Sequence, residues 1–170
     1  MNFGIVAFPS KPVQDFANSL RKRYDPHYSS IQPHMTIREG ELWDETQLEH
    51  AIQHMEEITK RWAPFHVRYN RVSTFYPVNH VIYMALEDPL PMIRFQEAIN
   101  SGPLSYNRTN YVYVPHLTLG QQLSADELHD VYASLRHKAL DFTNIVDRIH
   151  LLYQTENMAW TAYQSFLLRG

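Results

Sequence analysis

Pro33-His34-Met35-Thr36-Ile37 returns in the second half of the chain as Pro115-His116-Leu117-Thr118-Leu119. Side chains two apart on a strand point to one face. His34 and Thr36 therefore share a face while Met35 and Ile37 point into a core, and His116 and Thr118 stand in the same relation to Leu117 and Leu119. A single His-x-Thr is weak information. Two copies, each preceded by proline and set in the same place of a repeated unit, organise the rest of the reading.

Working outward, each copy has the same neighbours. Phe3 to Phe8 reads as a strand, Pro12 opens a helix to about Arg23, and Tyr24 to Pro33 reads as a loop. In the second half Val81 to Leu86 reads as a strand, Pro91 to Asn100 as a short helix, and the segment holding Gly102, Pro103 and Asn107 as a loop. A helix opened by a capping box follows each motif, Asp44 with Gln47 and Ser124 with Glu127. The apolar faces are Leu48, Ile52, Met55 and Trp62, with Thr59 the polar exception, and Leu128, Val131, Leu135 and Ala139. Phe65, Asn70, Arg71, Val72, Phe75 and Tyr76 align without gaps onto Phe142, Asp147, Arg148, Ile149, Leu152 and Tyr153.

The unit is strand, helix, strand, helix, strand. This predicts an α+β fold, one domain over residues 1–170 made of two repeats at about 1–77 and 78–156, with a strand segment at 157–170. Two antiparallel sheets backed by helices are expected. If the repeats pack about a pseudo-two-fold axis, the two His–Thr pairs face one another across a central groove.

Composition removes other chemistries. With 170 residues a sizeable core can form, and with no cysteine there is no disulfide, thiolate metal site or cysteine nucleophile. The net charge of -3 argues against gripping long DNA or RNA by its backbone. No apolar segment approaches a membrane span, and no leader pattern opens the chain, so a cytoplasmic location without membrane partners is expected.

Two opposed imidazoles suit phosphodiester cleavage, because one takes a proton from the attacking oxygen while the other gives one to the leaving oxygen. An ordinary histidine pKa of about 6.5 allows both protonation states, which predicts a bell-shaped pH profile around neutrality. The threonine hydroxyls can donate to the non-bridging phosphate oxygens. No metal or other cofactor is called for.

With these motifs and their order, the chain resembles the two-histidine, or 2H, phosphoesterases, which include bacterial and archaeal 2'-5' RNA ligases and plant and yeast cyclic phosphodiesterases. Their hallmark is a pair of His-x-Thr/Ser-x motifs in a duplicated bilobal α+β fold. Pro-Val-Asn before the second-half strand and His150-Leu151-Leu152-Tyr153-Gln154 look closest to a phosphoesterase subgroup of Gram-positive bacteria. The resemblance implies that the N- and C-terminal parts share one lobe and the middle forms the other. It implies His34 as proton donor, His116 as acceptor and Thr36 and Thr118 as phosphate ligands. The expected substrate is a small nucleotide or an RNA-terminal phosphodiester, in particular a 2',3'-cyclic phosphate, with 2'-5' ligation as the reverse reaction. The rivals are a module that binds an RNA end or nucleotide without turnover, and a structural repeat whose histidines are buried and far apart.

Other residues carry two readings each. Arg38 could reach a phosphate or end a solvated strand. Tyr111 and Tyr113 could stack a base, though core or edge packing is the commoner use of strand aromatics. Arg71 and Arg148, at equivalent positions of the repeat, could make symmetric phosphate contacts or symmetric salt bridges, and the structural reading is favoured. Arg21-Lys22-Arg23 reads as cations favoured by a helix C-terminus. His50 and His54 have helical i, i+4 spacing but lack the glutamate of a zinc motif, and their helix face reads as solvated. Pocket residues are expected from the loops Tyr24 to Gln32 and Ser101 to Asn110.

Overall fold

The computed structural model describes residues 1–106 and 112–170. The elements are β1 (Asn2–Ala7), α1 (Lys11–Tyr24), β2 (Met35–Leu42), α2 (Glu45–Arg61), β3 (Phe65–Thr74), β4 (Ile82–Leu86), α3 (Leu90–Ile99), β5 (His116–Gly120), α4 (Ala125–Leu135), β6 (Phe142–Val146), β7 (Arg148–Gln154) and β8 (Trp160–Leu167). The class is α+β. Each predicted helix forms where its local chemistry starts it. Pro12 stands in the first turn of α1, and the Asp44–Gln47 capping box closes reciprocally on α2. Ser124 Oγ accepts from the Glu127 N–H at the start of α4. That helix stops at Leu135, so Ala139 lies beyond it and is exposed, and Leu140 is buried in its place.

The expectation of two sheets needs correction. The strands form one sheet of eight, antiparallel throughout, in the order β6-β3-β4-β5-β2-β1-β7-β8. Its two halves meet where β2 pairs with β5, with Met35 opposite Leu117. This joint is short because the motif strands diverge after it, β2 staying with β1 and β5 with β4. Strand β3 splits its pairing, Phe65 to Tyr69 with β6 and Tyr69 to Thr74 with β4. Strand β6 passes into β7 across Asp147 alone, although the two lie near opposite ends of the strand order. The sheet must curl for both to hold.

Two of the registers pair residues that align in the sequence. Met35 opposes Leu117, its counterpart in the other motif, and Val67 opposes Asn144, its counterpart in the aligned closing segments. N- and C-terminal strands form the half β2-β1-β7-β8 and the middle of the chain forms β6-β3-β4-β5.

One face of the curled sheet is apolar and covered by the helices. Ile5, Met35, Ile37, Met84, Leu117, Leu119 and Leu151 from the strands are buried in one cluster with Ala17, Met55 and Phe95 from the helices. Each buried Ile, Leu, Met or Phe among them contributes about 1.5–3 kcal/mol. Thr59, the polar exception on α2, is buried as well, its hydroxyl donating to the Met55 carbonyl at 2.8 Å. Among the described residues no helix is long and apolar enough to cross a membrane.

Candidate active site

The other face of the sheet floors a groove of about 620 Å³, and His34, Thr36, His116 and Thr118 all line it. His34 stands immediately before β2 and His116 opens β5. Met35, Ile37, Leu117 and Leu119 are at most 2% exposed, so the alternation that buries them turns the histidines and threonines to the groove. The structural reading, with the two histidines far apart, does not fit this shared groove.

The two imidazoles are held alike. Nδ1 of His34 lies 2.8 Å from the Gln32 carbonyl, and Nδ1 of His116 lies 2.8 Å from the Val114 carbonyl. A carbonyl only accepts, so each Nδ1 carries the proton and each Nε2 is left for a ligand. Pro33 and Pro115, both buried, stand between each histidine and that carbonyl and restrict the backbone there. Phe75 meets the His116 ring edge-on, with centroids 5.0 Å apart, and is itself stacked on Tyr83 at 4.2 Å. Among the described residues the hydroxyls of Thr36 and Thr118 have no hydrogen-bond partner.

Burial sets the electrostatics. Loss of water pushes His34 down to about 4, opposed by the Gln32 carbonyl, with Arg21 and His116 adding to the fall and Asp25 resisting it. His116 is also pushed down by loss of water, while the Val114 carbonyl and the Glu39 carboxylate favour its charged form. Arg21 thus weighs against a charge on His34, while Glu39 favours one on His116.

A buried ion pair makes the wall beside His34. Arg21 Nε is 3.2 Å from Asp25 Oδ2, with the side chains 2% and 3% exposed. Arg21 also donates from Nη2 to the Ile31 carbonyl at 2.7 Å and from Nη1 to Asn18 Oδ1 at 2.8 Å. Asp25 Oδ1 accepts from the His27 N–H at 2.9 Å and from Gln121 Nε2 at 2.8 Å, and the Gln121 N–H donates to the Tyr24 carbonyl at 3.0 Å. The loop after α1 is thus tied both to α1 and to the residue following β5. The sequence reading missed this role and grouped Arg21 with the solvated Lys22 and Arg23. The available signal was Asp25 four residues after Arg21, at ion-pair spacing across the helix end.

Arg38 and Tyr113, expected as possible substrate contacts, are committed elsewhere. Although Arg38 borders the groove, its guanidinium is buried and donates to Glu41 Oε1 (2.6 Å), Asn100 Oδ1 (2.8 Å), and the Leu104 (2.7 Å) and Tyr106 (3.3 Å) carbonyls. It bolts β2 to the end of α3. The Tyr113 hydroxyl donates to the Thr36 carbonyl at 2.8 Å and its ring packs against the core. Tyr113 supports the first motif from behind. Arg71 donates to the Leu86 carbonyl at 2.9 Å and Arg148 pairs with Asp147 at 3.1 Å.

His54 does not face solvent as expected, since its Nε2 is 3.0 Å from the Ile99 carbonyl at the end of α3, while His50 is exposed. The loop expected at Tyr24 to Gln32 supplies Asp25, His27, Ser30 and Ile31 to the groove. Ser101 to Tyr106 do not border it, and Tyr111 and the rest of that loop, 107–110, lie outside the described residues. Among the described residues no cluster of three or more His, Cys, Asp or Glu side chains is placed to hold a metal ion.

Comparison with known proteins concerns the family and the fold. A family model described as the 2'-5' RNA ligase superfamily matches residues 9–157. A Halalkalibacterium halodurans protein named "Putative phosphoesterase" is 43% identical over 99% of this chain and 98% of its own. A Geobacillus protein of the same name is 42% identical over 100% of this chain and 98% of its own. Among solved structures, E. coli LigT complexed with 3'-AMP superposes with a TM-score of 0.75 at 12% identity, over 99% of this chain and 98% of that one. TT0787 of Thermus thermophilus gives 0.73 at 17% identity, over 100% and 99% of the two chains. These two likenesses concern the fold.

Proposed function

The chain belongs to the 2'-5' RNA ligase superfamily, the two-histidine phosphoesterases, and from that membership we propose that it cleaves a small or terminal phosphodiester by metal-independent acid–base catalysis between His34 and His116. The observation that carries the reading is the matched pair of imidazoles on one groove. Each is fixed through Nδ1 to a backbone carbonyl, which leaves Nε2 for the reacting oxygens. The whole chain is read as one bilobal unit of two repeats, because a groove between like halves places two like groups on opposite sides of one phosphorus.

The substrate is a 2',3'-cyclic phosphate on a nucleotide or RNA end. The E. coli relative of similar fold is described in complexes with 3'-AMP, ATP and NADP+, which supports a nucleotide-sized ligand here. Thr36 and Thr118 donate to the non-bridging oxygens. One imidazole takes a proton from water as the water oxygen bonds to phosphorus. The other protonates the ribose oxygen as its bond to phosphorus breaks, giving a phosphomonoester and a free hydroxyl. With His34 as donor, the anionic substrate must offset the loss of water that pushes this imidazole down to about 4. Run backwards, the two roles exchange and a new phosphodiester forms.

The test is hydrolysis of 2',3'-cyclic nucleotides in EDTA by the wild type, His34→Ala and His116→Ala. Activity that survives EDTA and is lost in both variants supports the reading. Nucleotide binding without turnover in the wild type, unchanged in both variants, would establish a binding module instead.

A further inference from the structure

The polar floor does not fill the groove. Toward β8 it continues into an end bounded by Trp160, Met158, Ile31 and Leu152, with Gly4 and Gly40 beneath. A Cβ built on Gly40 would come within 2.6 Å of Trp160 Cη2 and 3.0 Å of Cζ2, and one on Gly4 within 3.6 Å of Cζ3. The six-membered ring therefore rests on bare backbone of β1 and β2, in space that any other residue at position 40 would take. The Trp160 N–H donates to the Ser30 carbonyl at 2.8 Å, which fixes the start of β8 against the groove loop.

We propose, resting on the phosphodiesterase reading, that this end of the groove is a nucleobase site in which Trp160 is the stacking platform and Gly40 the seat that sets its height. Phe75, the other aromatic residue on the groove, already has a face on Tyr83 and an edge on His116. Among the described residues no aromatic ring pairs with Trp160, and the side chain is half-buried. Trp160 Nε1 and Ser30 Oγ make no hydrogen bond to any described residue, so a donor and a hydroxyl stand ready for a base edge or ribose. Gly40 lies four positions beyond Thr36 on β2, about 13 Å of strand. That span suits a phosphate joined to ribose and base and exceeds a bare phosphate ester. Stacking on an aromatic face tolerates any base, so the site selects nucleosides over base-free esters without reading sequence.

The test compares 2',3'-cyclic AMP with glycerol 1,2-cyclic phosphate, which has no base. Trp160→Ala is expected to raise KM for the nucleotide about tenfold, with kcat little changed and the glycerol ester unaffected. Trp160→Phe should restore most of the loss. Gly40→Ala, which keeps the indole but lifts it off its seat, should reproduce the Trp160→Ala effect. 3'-AMP should quench the wild-type tryptophan emission but not that of Trp160→Phe, in which Trp43 and Trp62 report that the fold is intact. Equal losses on both substrates, or none, would overturn the proposal. So would calorimetric binding of 3'-AMP without quenching, while leaving the phosphodiesterase reading in place. Neither binding nor cleavage of any nucleotide would overturn both.

Discussion

Met35 and Leu117 are Cα partners in the pairing that joins β2 to β5. Each directly follows a motif histidine, so this one contact places both imidazoles on the same groove. The halves of the sheet meet at the site because that is where the motif strands touch.

Shortening Leu117, which is fully buried in the core, should therefore loosen the joint. Leu117→Ala is expected to cost about 2–5 kcal/mol of stability. It should also lower kcat in conditions where the variant remains folded. Chemical denaturation and turnover at low temperature check the two effects separately.

The pH optimum should lie on the acid side. Catalysis needs one imidazole charged and one neutral, and in the free protein both are displaced downward, His34 to about 4. The kcat/KM profile should be bell-shaped with its maximum between about 4 and 6.5, below the neutral optimum that unperturbed histidines predict. The kcat profile should move to higher pH, because bound phosphate favours both imidazolium forms. A maximum of kcat/KM above 7 would contradict the electrostatic picture.

Stability follows the same displacement. The unfolded chain binds a proton at His34 near pH 6.5 whereas the folded chain resists until about 4, so stability holds above 6.5 and is lost as pH falls through that window. The loss is roughly 1–3 kcal/mol after allowance for partial solvent access. Removing the imidazole in His34→Gln should reduce the slope of Tm against pH between these limits, with His116 and His150, also pushed down by burial, keeping part of it.

Breaking the Arg21–Asp25 pair from one side strands a buried charge. Asp25→Asn is expected to destabilise by about 3–5 kcal/mol, and the double variant Arg21→Met with Asp25→Leu by less. A double-mutant cycle in urea measures the coupling. Additive losses would show that the two side chains act independently.

Arg38→Met should act on the fold and not on substrate affinity, since its guanidinium serves Glu41, Asn100 and the Leu104 carbonyl. A lower Tm with an unchanged KM is expected. A large rise in KM at full stability would restore Arg38 as a phosphate ligand.

The sequence alone determined most of what periodicity and local chemistry control. The strands and helices follow from alternation, helical spacing and capping residues such as Asp44, and the four motif residues reach the groove because strand alternation buries Met35, Ile37, Leu117 and Leu119. Tertiary structure alone decided which partners the remaining groups found. Arg21 and Arg38 are long cations with several donors, and local spacing offers Asp25 and Glu41 as partners without saying which distant carbonyls will accept from the remaining donors. Ile31, Asn100 and Leu104 do so here only after loops from other parts of the chain are folded against them. The single curled sheet and the seat of Trp160 on Gly40 were hidden for the same reason. Both arise from contacts between residues far apart in sequence, whose energies exist only once the backbone has brought them together.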